Sequence, residues 1–346
     1  MVQALVDLKA TPGIEPGIEP GIDALDPEGD APEDAGASGV EVRESRVERE
    51  AHGQRLDKFV VGMAPEFSRS HLQGLIERGL VSVQGQVQTT ASRKVLAGQR
   101  VRVELQPTEE SQAFRAEPMA LDILYEDAHL MVVNKPVGLV VHPAPGNWSG
   151  TLMNGLLAHH AQAAQLPRAG IVHRLDKDTS GLMVVGKTLE ATVALSRMIA
   201  DRQVHREYLA LCHGRLTAPL HVDAPMRRDP ASRVKMAVVP GGKPAQTDVF
   251  PLAHTPDSPW MSAVHCVLHT GRTHQIRVHL SWKGYALVAD ALYGGAPALG
   301  LERQALHAAK LSFEHPMTGA AMVLLAPLPA DLAQAWQRAG FPAPAL

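Results

Sequence analysis

Residues 171–185 set two apolar runs, Ile171-Val172 and Leu182-Met183-Val184-Val185, on either side of His173-Arg174-Leu175-Asp176-Lys177-Asp178-Thr179-Ser180-Gly181. β-Branched residues on both sides of a polar segment closed by glycine predict two strands joined by a loop. A chain that folds this way needs a sheet able to bury the second run and to hold the loop at a strand end. The loop carries two carboxylates, two cations and a histidine, more ionisable chemistry than a turn requires. Asp, Thr, Ser and Gly are also ordinary turn formers, so on its own the stretch reads either as a site or as a turn.

The 346 residues are enough for more than one domain and a substantial core. No apolar run approaches the roughly 20 residues of a membrane helix, and the N-terminus lacks a secretory pattern. Cys212 and Cys266, the two cysteines, sit in apolar, strand-like runs. They are expected as buried free thiols of a cytoplasmic protein. The net charge of −3 conceals an asymmetry: residues 1–50 hold 13 acidic and 4 basic side chains, which leaves the rest at +6. A basic body suits a polyanionic partner, although many proteins with such an excess bind none.

Residues 1–50 contain the repeat Pro12-Gly13-Ile14-Glu15, Pro16-Gly17-Ile18-Glu19, Pro20-Gly21-Ile22-Asp23 and are expected to be a disordered acidic tail. Residues 53–106 form a compact module. A helix starts near Arg55-Leu56-Asp57 and ends before Pro65. A second is capped by Ser68, carries Leu72, Leu75 and Ile76 on one face, and stops at Gly79. Short strands follow at Val81/Val83, Val87 and Val101/Val103/Leu105. Residues 107–120 read as a linker, 121–335 as a second domain and 336–346 as a loose end. In the second domain strands outnumber helices without regular β-α alternation, which predicts an α+β fold around a mixed, largely antiparallel sheet. Residues 271–280 alternate, with His274, Ile276, Val278 and Leu280 on one face and Thr273, Gln275, Arg277 and His279 on the other, and read as a strand.

Gly181-Leu182-Met183-Val184-Val185-Gly186-Lys187-Thr188 satisfies the phosphate-binding P-loop pattern. The spacer of such a loop must wrap its N–H groups around phosphates, whereas Leu-Met-Val-Val reads as the buried strand itself. An NTPase is therefore disfavoured. The 17 histidines and the Asp176/Asp178 pair show no metal-ligand spacing such as His-Glu-x-x-His, and no metal is expected.

Residues 53–106 resemble the S4 RNA-binding domain through Arg55-Leu56-Asp57, Ser68-Arg69-Ser70, Leu75-Ile76 and Gly79-Leu80-Val81-Ser82-Val83-Gln84-Gly85, with Gln84 where Asn is more usual. A small domain without an RNA role is the competing reading. The loop His173–Gly181 is similar to the signature loop of the RluA-type pseudouridine synthases. Asn134-Lys135-Pro136-Val137-Gly138-Leu139 with His142-Pro143, Arg206-Glu207-Tyr208, Gly271–His279, Ala305-Leu306-His307-Ala308 and His315-Pro316 fit the other family motifs. Among the subgroups, Lys177-Asp178 and residues 226–243 look most like the RluD branch, which implies 23S ribosomal RNA, and its helix 69 stem-loop, as the substrate.

The resemblance implies a cofactor-free isomerase, an intramolecular transferase, with Asp176 as nucleophile, Arg277 paired to it and Tyr208 against the base. Arg174 would fill the gap left by a flipped uridine. Arg69, Arg78, Arg93, Arg227, Arg228, Arg233 and Lys235 are the candidate RNA-binding cations, acting mostly through phosphates. Lys135, His173, Thr179 and Asp178 are expected to shape the loop. A monomer with no membrane partner is expected. The competing class is a non-catalytic RNA-binding factor of ribosome assembly.

Overall fold

The computed structural model describes residues 41–106, 113–144, 146–232 and 234–344. The chain divides into two compact units, one built on residues 41–115 with 143–149 and the other on 116–142 with 150–344.

The smaller unit contains β1 (Glu41–Arg46), α1 (Leu56–Met63), α2 (Arg69–Glu77), β2 (Val81–Val83), β3 (Gln86–Gln88) and β4 (Arg100–Leu105). Its antiparallel sheet has the order β1-β4-β2-β3. Leu56 and Val60 of α1 and Leu72, Leu75 and Ile76 of α2 are fully buried against Val81, Val83, Val101 and Val103. Ser68 caps α2 by accepting the His71 N–H. Gln84 and Gly85 both have positive φ between the paired residues Val83 and Gln86. That is the two-residue hairpin turn in which Asn-Gly is commonest, so Gln84 holds the same geometry at some strain.

One boundary shifts. Residues 41–46, expected in the acidic tail, form β1 and pair along their length with β4. The sequence could not show this, because β1 is an edge strand with no apolar alternation. Backbone hydrogen bonds hold it, together with Arg100–Glu44 and Arg43–Glu66 ion pairs. Residues 47–50 are also ordered, with Val47 buried and Arg49–Ala51 a single 3-10 turn; residues 1–40 of the expected tail lie outside the described residues, as do 107–112 of the expected linker.

The larger unit contains β5 (Ile123–Glu126), β6 (Leu130–Lys135), α3 (Leu152–His159), β7 (Ser180–Gly186), α4 (Leu189–Ala200), β8 (His205–His213), β9 (Leu220–Asp223), β10 (Met226–Arg228) and β11 (Met236–Val238). It continues with β12 (Gln246–His254), β13 (Met261–Leu268), α5 (Gln275–Trp282), β14 (Leu306–Glu314), β15 (Ala321–Leu325) and α6 (Ala330–Arg338). Nine strands form one sheet in the order β5-β6-β7-β14-β8-β13-β12-β9, with β15 on β14 and β10-β11 as a separate hairpin. Among the described residues only β7 and β14 run parallel; the other named pairs are antiparallel. The fold is thus α+β around a mixed, largely antiparallel sheet.

Every residue of β7 is buried because both faces of the sheet are covered there. Leu182 and Val184 pack with Leu130, Val132 and Leu195, and Met183 and Val185 with Met131, Val133 and Leu156. Each such side chain stabilises the fold by about 1.5–3 kcal/mol. This removes the P-loop reading: residues 182–185 form buried sheet, and the Lys187 ammonium donates to the Asp127 carbonyl at 2.6 Å. Cys212 and Cys266 are buried free thiols.

Two further expectations change. Residues 275–282 are helix α5, not a strand. All of Gln275–Leu280 are buried, so no solvent-facing side existed to reveal the helical period. The expected loose end from residue 336 also starts too early. Trp336 and Phe341 are buried and stack edge to face, closing α6 onto Leu209, Leu211 and Leu301. Among the described residues no helix is long and apolar enough to cross a membrane.

Candidate active site

Gly181, Ala308 and Tyr208 stand in one row across β7, β14 and β8. The loop 172–179 therefore enters the sheet beside Tyr208. Gly181 has φ +115, and a Cβ there would lie 2.2 Å from the Ala308 carbonyl oxygen, so this close crossing of the parallel pair needs glycine.

The loop is pinned through its main chain. The buried Lys135 ammonium donates to the carbonyls of Pro136, Leu139 and Lys177 at 2.8–2.9 Å. Burial pushes its pKa down to about 8, against the opposing pull of Asp178 and Asp176. Arg303 donates to the Asp178 carbonyl at 3.0 Å, and the Thr179 N–H returns to the Asp176 carbonyl. His173 Nε2 accepts the Val184 N–H at 3.0 Å. Burial, aided by the Arg206 charge, pushes this imidazole down to about 3, which keeps it a neutral acceptor.

With the backbone fixed, the Asp176 carboxylate projects to Arg277, whose Nη1–H donates to Oδ2 at 3.0 Å. The Arg277 guanidinium also donates to Asp290 through Nε at 2.8 Å and Nη2 at 2.9 Å. Burial disfavours the Arg277 charge, but the two carboxylates outweigh it and hold its pKa above the usual arginine value. The guanidinium carbon lies 5.1 Å from the centre of the Tyr293 ring. His274 caps α5 from the left-handed region, and its Nε2 is 3.7 Å from Asp176 Oδ1. Its Nδ1 is 2.8 Å from the Tyr293 hydroxyl, which accepts the Met236 N–H at 2.9 Å. Tyr208 is buried, and burial pushes its phenol up to about 12, so it holds its proton at neutral pH.

Asp176, Tyr208, His274 and Arg277 line one cleft of about 660 Å³. Arg168, Arg174, Arg202, Arg206, Arg227, Arg228, Lys243 and Arg272 line it too, against Asp176 and Asp201 as its acids. Such an excess of cations favours a polyanion over a neutral metabolite.

The candidate residues from the sequence distribute unevenly. Asp176, Tyr208, Arg277, Arg174, Arg227 and Arg228 meet at the cleft; Lys235 does not line it, and Arg233 lies outside the described residues. Asp178 contributes its carbonyl to the Arg303 bond. In the smaller unit Arg69 donates to the fully buried Asp57 at 2.7 Å, beside Arg55 and Gln73. The Arg55 hydrogen bond, with those of Arg69 and Gln73, holds Asp57 well below the usual carboxylate range. Arg93 bonds Gln88, and Arg78 is the C-cap of α2. The sequence reading missed Asp290, His274 and Tyr293. For Asp290 the one available signal was a lone acid in the apolar run Ala286–Leu292. Among the described residues no three His, Cys, Asp or Glu side chains gather as a metal-binding group.

Comparison with known proteins gives this geometry its context. Residues 129–282 match RNA pseudouridylate synthase, and residues 54–101 match the S4 domain. A ribosomal large subunit pseudouridine synthase D of Nitrosomonas europaea is 46% identical over 312 residues, covering 87% of this chain and 90% of that protein. The chain belongs to the RNA pseudouridylate synthase family. It is an isomerase that converts uridine to pseudouridine. A second pseudouridine synthase D, from Neisseria meningitidis serogroup B, is 45% identical over 326 residues, or 89% of this chain and 86% of that one. The solved structure of human RNA pseudouridylate synthase domain containing 4 aligns with a TM-score of 0.50 at 25% identity, covering 63% of this chain and 92% of that one. For a pseudouridine synthase the chemistry is confined to one base: the N1–C1′ bond breaks, the uracil turns, and C5 bonds to C1′. The C5 hydrogen leaves as a proton and N1 gains one, so the reaction is redox-neutral.

Proposed function

We propose that this synthase modifies uridines of large-subunit 23S ribosomal RNA, in the helix 69 stem-loop, with Asp176 as the nucleophile. The observation that carries the reading is the Asp176–Arg277 contact of 3.0 Å at a cleft lined by cations. A carboxylate can form a covalent adduct with the sugar or the base and leave again. The Arg277 guanidinium orients that carboxylate and pairs with its charge at 3.0 Å. Tyr208, holding its proton, packs against the uracil and serves as a donor when a proton moves. Arg174, exposed at the cleft, fills the space of the extruded nucleotide. The names of the relatives and the RluD-like motifs support the ribosomal target. Arg227 and Arg228 at the cleft, with Arg69, Arg78 and Arg93 of the S4 domain, supply the phosphate contacts.

The test is turnover of a helix 69 stem-loop labelled with tritium at uridine C5, since isomerisation releases that hydrogen. Asp176→Asn should abolish release by on the order of 10³-fold or more while RNA binding survives. Substantial residual release from the variant would overturn the role of Asp176. No release by the unaltered enzyme would overturn the target.

A further inference from the structure

Arg206 is a buried cation that the chemistry above does not use. It stands two residues before Tyr208 on β8, so both side chains leave the same face of the strand, and both line the cleft. Arg206 is 6% exposed, and its Nε–H has no hydrogen-bond acceptor among the described residues. Arg277, equally buried, is matched by two carboxylates; beside Arg206 stand the Tyr208 phenol, which is neutral at pH 7, and the like charge of the Arg272 guanidinium. Burying a guanidinium without an anion is expensive, and a site that does so is prepared for an anion that arrives later. Its surroundings are fitted to it: a Cβ on Gly271 would lie 2.5 Å from Arg206 Nη1, so the glycine leaves room for the guanidinium against the main chain.

We propose that Arg206 is a preformed socket for one phosphodiester of the RNA, at a linkage next to the uridine whose base enters between Asp176 and Tyr208. The anion is a phosphate rather than a uracil oxygen because a neutral carbonyl leaves the buried charge uncompensated. A phosphate neutralises it and matches the fork of N–H donors. This rests on reading the cleft as the uridine pocket.

The experiment is a binding cycle on the full-length enzyme. Stem-loop RNAs each carry one neutral methylphosphonate linkage near the target uridine, and their affinities are measured with wild type and Arg206→Met. Wild type should lose about 10-fold or more at one linkage, in line with a charge-assisted contact. Arg206→Met should bind the unaltered RNA more weakly by a similar factor and lose nothing further at that linkage. The variant should also be no less stable to urea than wild type, because replacing an uncompensated buried charge by an apolar chain of similar size relieves strain; a purely structural arginine would do the opposite. If Arg206→Met does not fold, Gly271→Ala, which drives a methyl into the guanidinium, should remove the same coupling at the same linkage. Additive penalties at every linkage, or unchanged affinity in the variant, would overturn the assignment. Tritium release by wild type is scored separately: its absence removes the proposed target, while the binding cycle still decides Arg206.

Discussion

Asp290 grips Arg277 from the side opposite Asp176, with two near-parallel hydrogen bonds of 2.8 and 2.9 Å. The guanidinium is thereby oriented before substrate arrives, with an Nη1–H directed to Asp176. Asp290 is 1% exposed, so the pair cannot dissolve into water when one member is lost. Asp290→Ala should cost about 3–5 kcal/mol of stability, the range for breaking a buried pair. It should also lower kcat far more than it raises KM, because Asp290 acts through Arg277 rather than on RNA. Urea unfolding and steady-state tritium release check the two parts. A variant with unchanged kcat would show that Arg277 holds its place without this carboxylate.

Tyr208→Phe keeps the ring that packs in the core beside Cys266 and Leu306 and deletes only the hydroxyl. With the phenol held protonated by burial, the contribution proposed for it is that of a donor. The variant should fold and bind RNA as wild type does and lose about 10²–10⁴-fold in turnover, the usual worth of general acid–base assistance. Rapid-quench kinetics of base isomerisation would separate this from a binding defect; an undiminished rate would leave Tyr208 a packing residue alone.

The parts of the site written in local sequence were legible, and those made by the fold were not. Asp176 and Tyr208 lie in long motifs with distinctive neighbours, and the turn residues around Asp176 announced a loop between strands. Arg277 was found by its motif but misplaced on a strand, since a helix whose first six residues are all buried shows no polar face to set its period. Asp290 and Arg277 are 13 residues apart, joined across a turn whose path no periodicity records. His274 faces Asp176 only because the chain takes a left-handed step at that residue before α5 begins. β1 was hidden for another reason: an edge strand held by backbone bonds and surface charges carries no apolar alternation.

His307 predicts how the fold responds to acid. It is 1% exposed, with Nδ1 2.9 Å from the Ser180 hydroxyl, and burial pushes it down to about 4. An unfolded histidine titrates near 6.5, so between those values the unfolded chain binds more protons than the folded one. Stability contributed by the neutral imidazole is complete above the unfolded pKa and is lost as pH falls through the folded pKa, by about 3 kcal/mol in all. His142 and His173, also depressed by burial, act in the same direction. Urea unfolding at pH 7 and pH 5 should show the fall, and His307→Gln should flatten it. Equal slopes in variant and wild type would place the acid sensitivity elsewhere.

Lys135 makes the last prediction, because one buried ammonium ties three carbonyls, two from the turn after β6 and one from the loop that carries Asp176. Lys135→Met fills a similar volume but leaves those carbonyls without their donor, each costing about 1–3 kcal/mol where water cannot replace it. The Lys177 carbonyl sits one residue from Asp176, so loosening it lets the carboxylate drift from Arg277. A misplacement of about 1 Å is enough to cost on the order of 10²-fold in rate. The expected signature is a large fall in kcat with RNA affinity nearly unchanged, since the cations at the cleft remain. Hydrogen exchange over residues 172–179 should quicken in the variant; unchanged protection there, with normal kcat, would mean that the loop is fixed by His173 and Arg303 without Lys135.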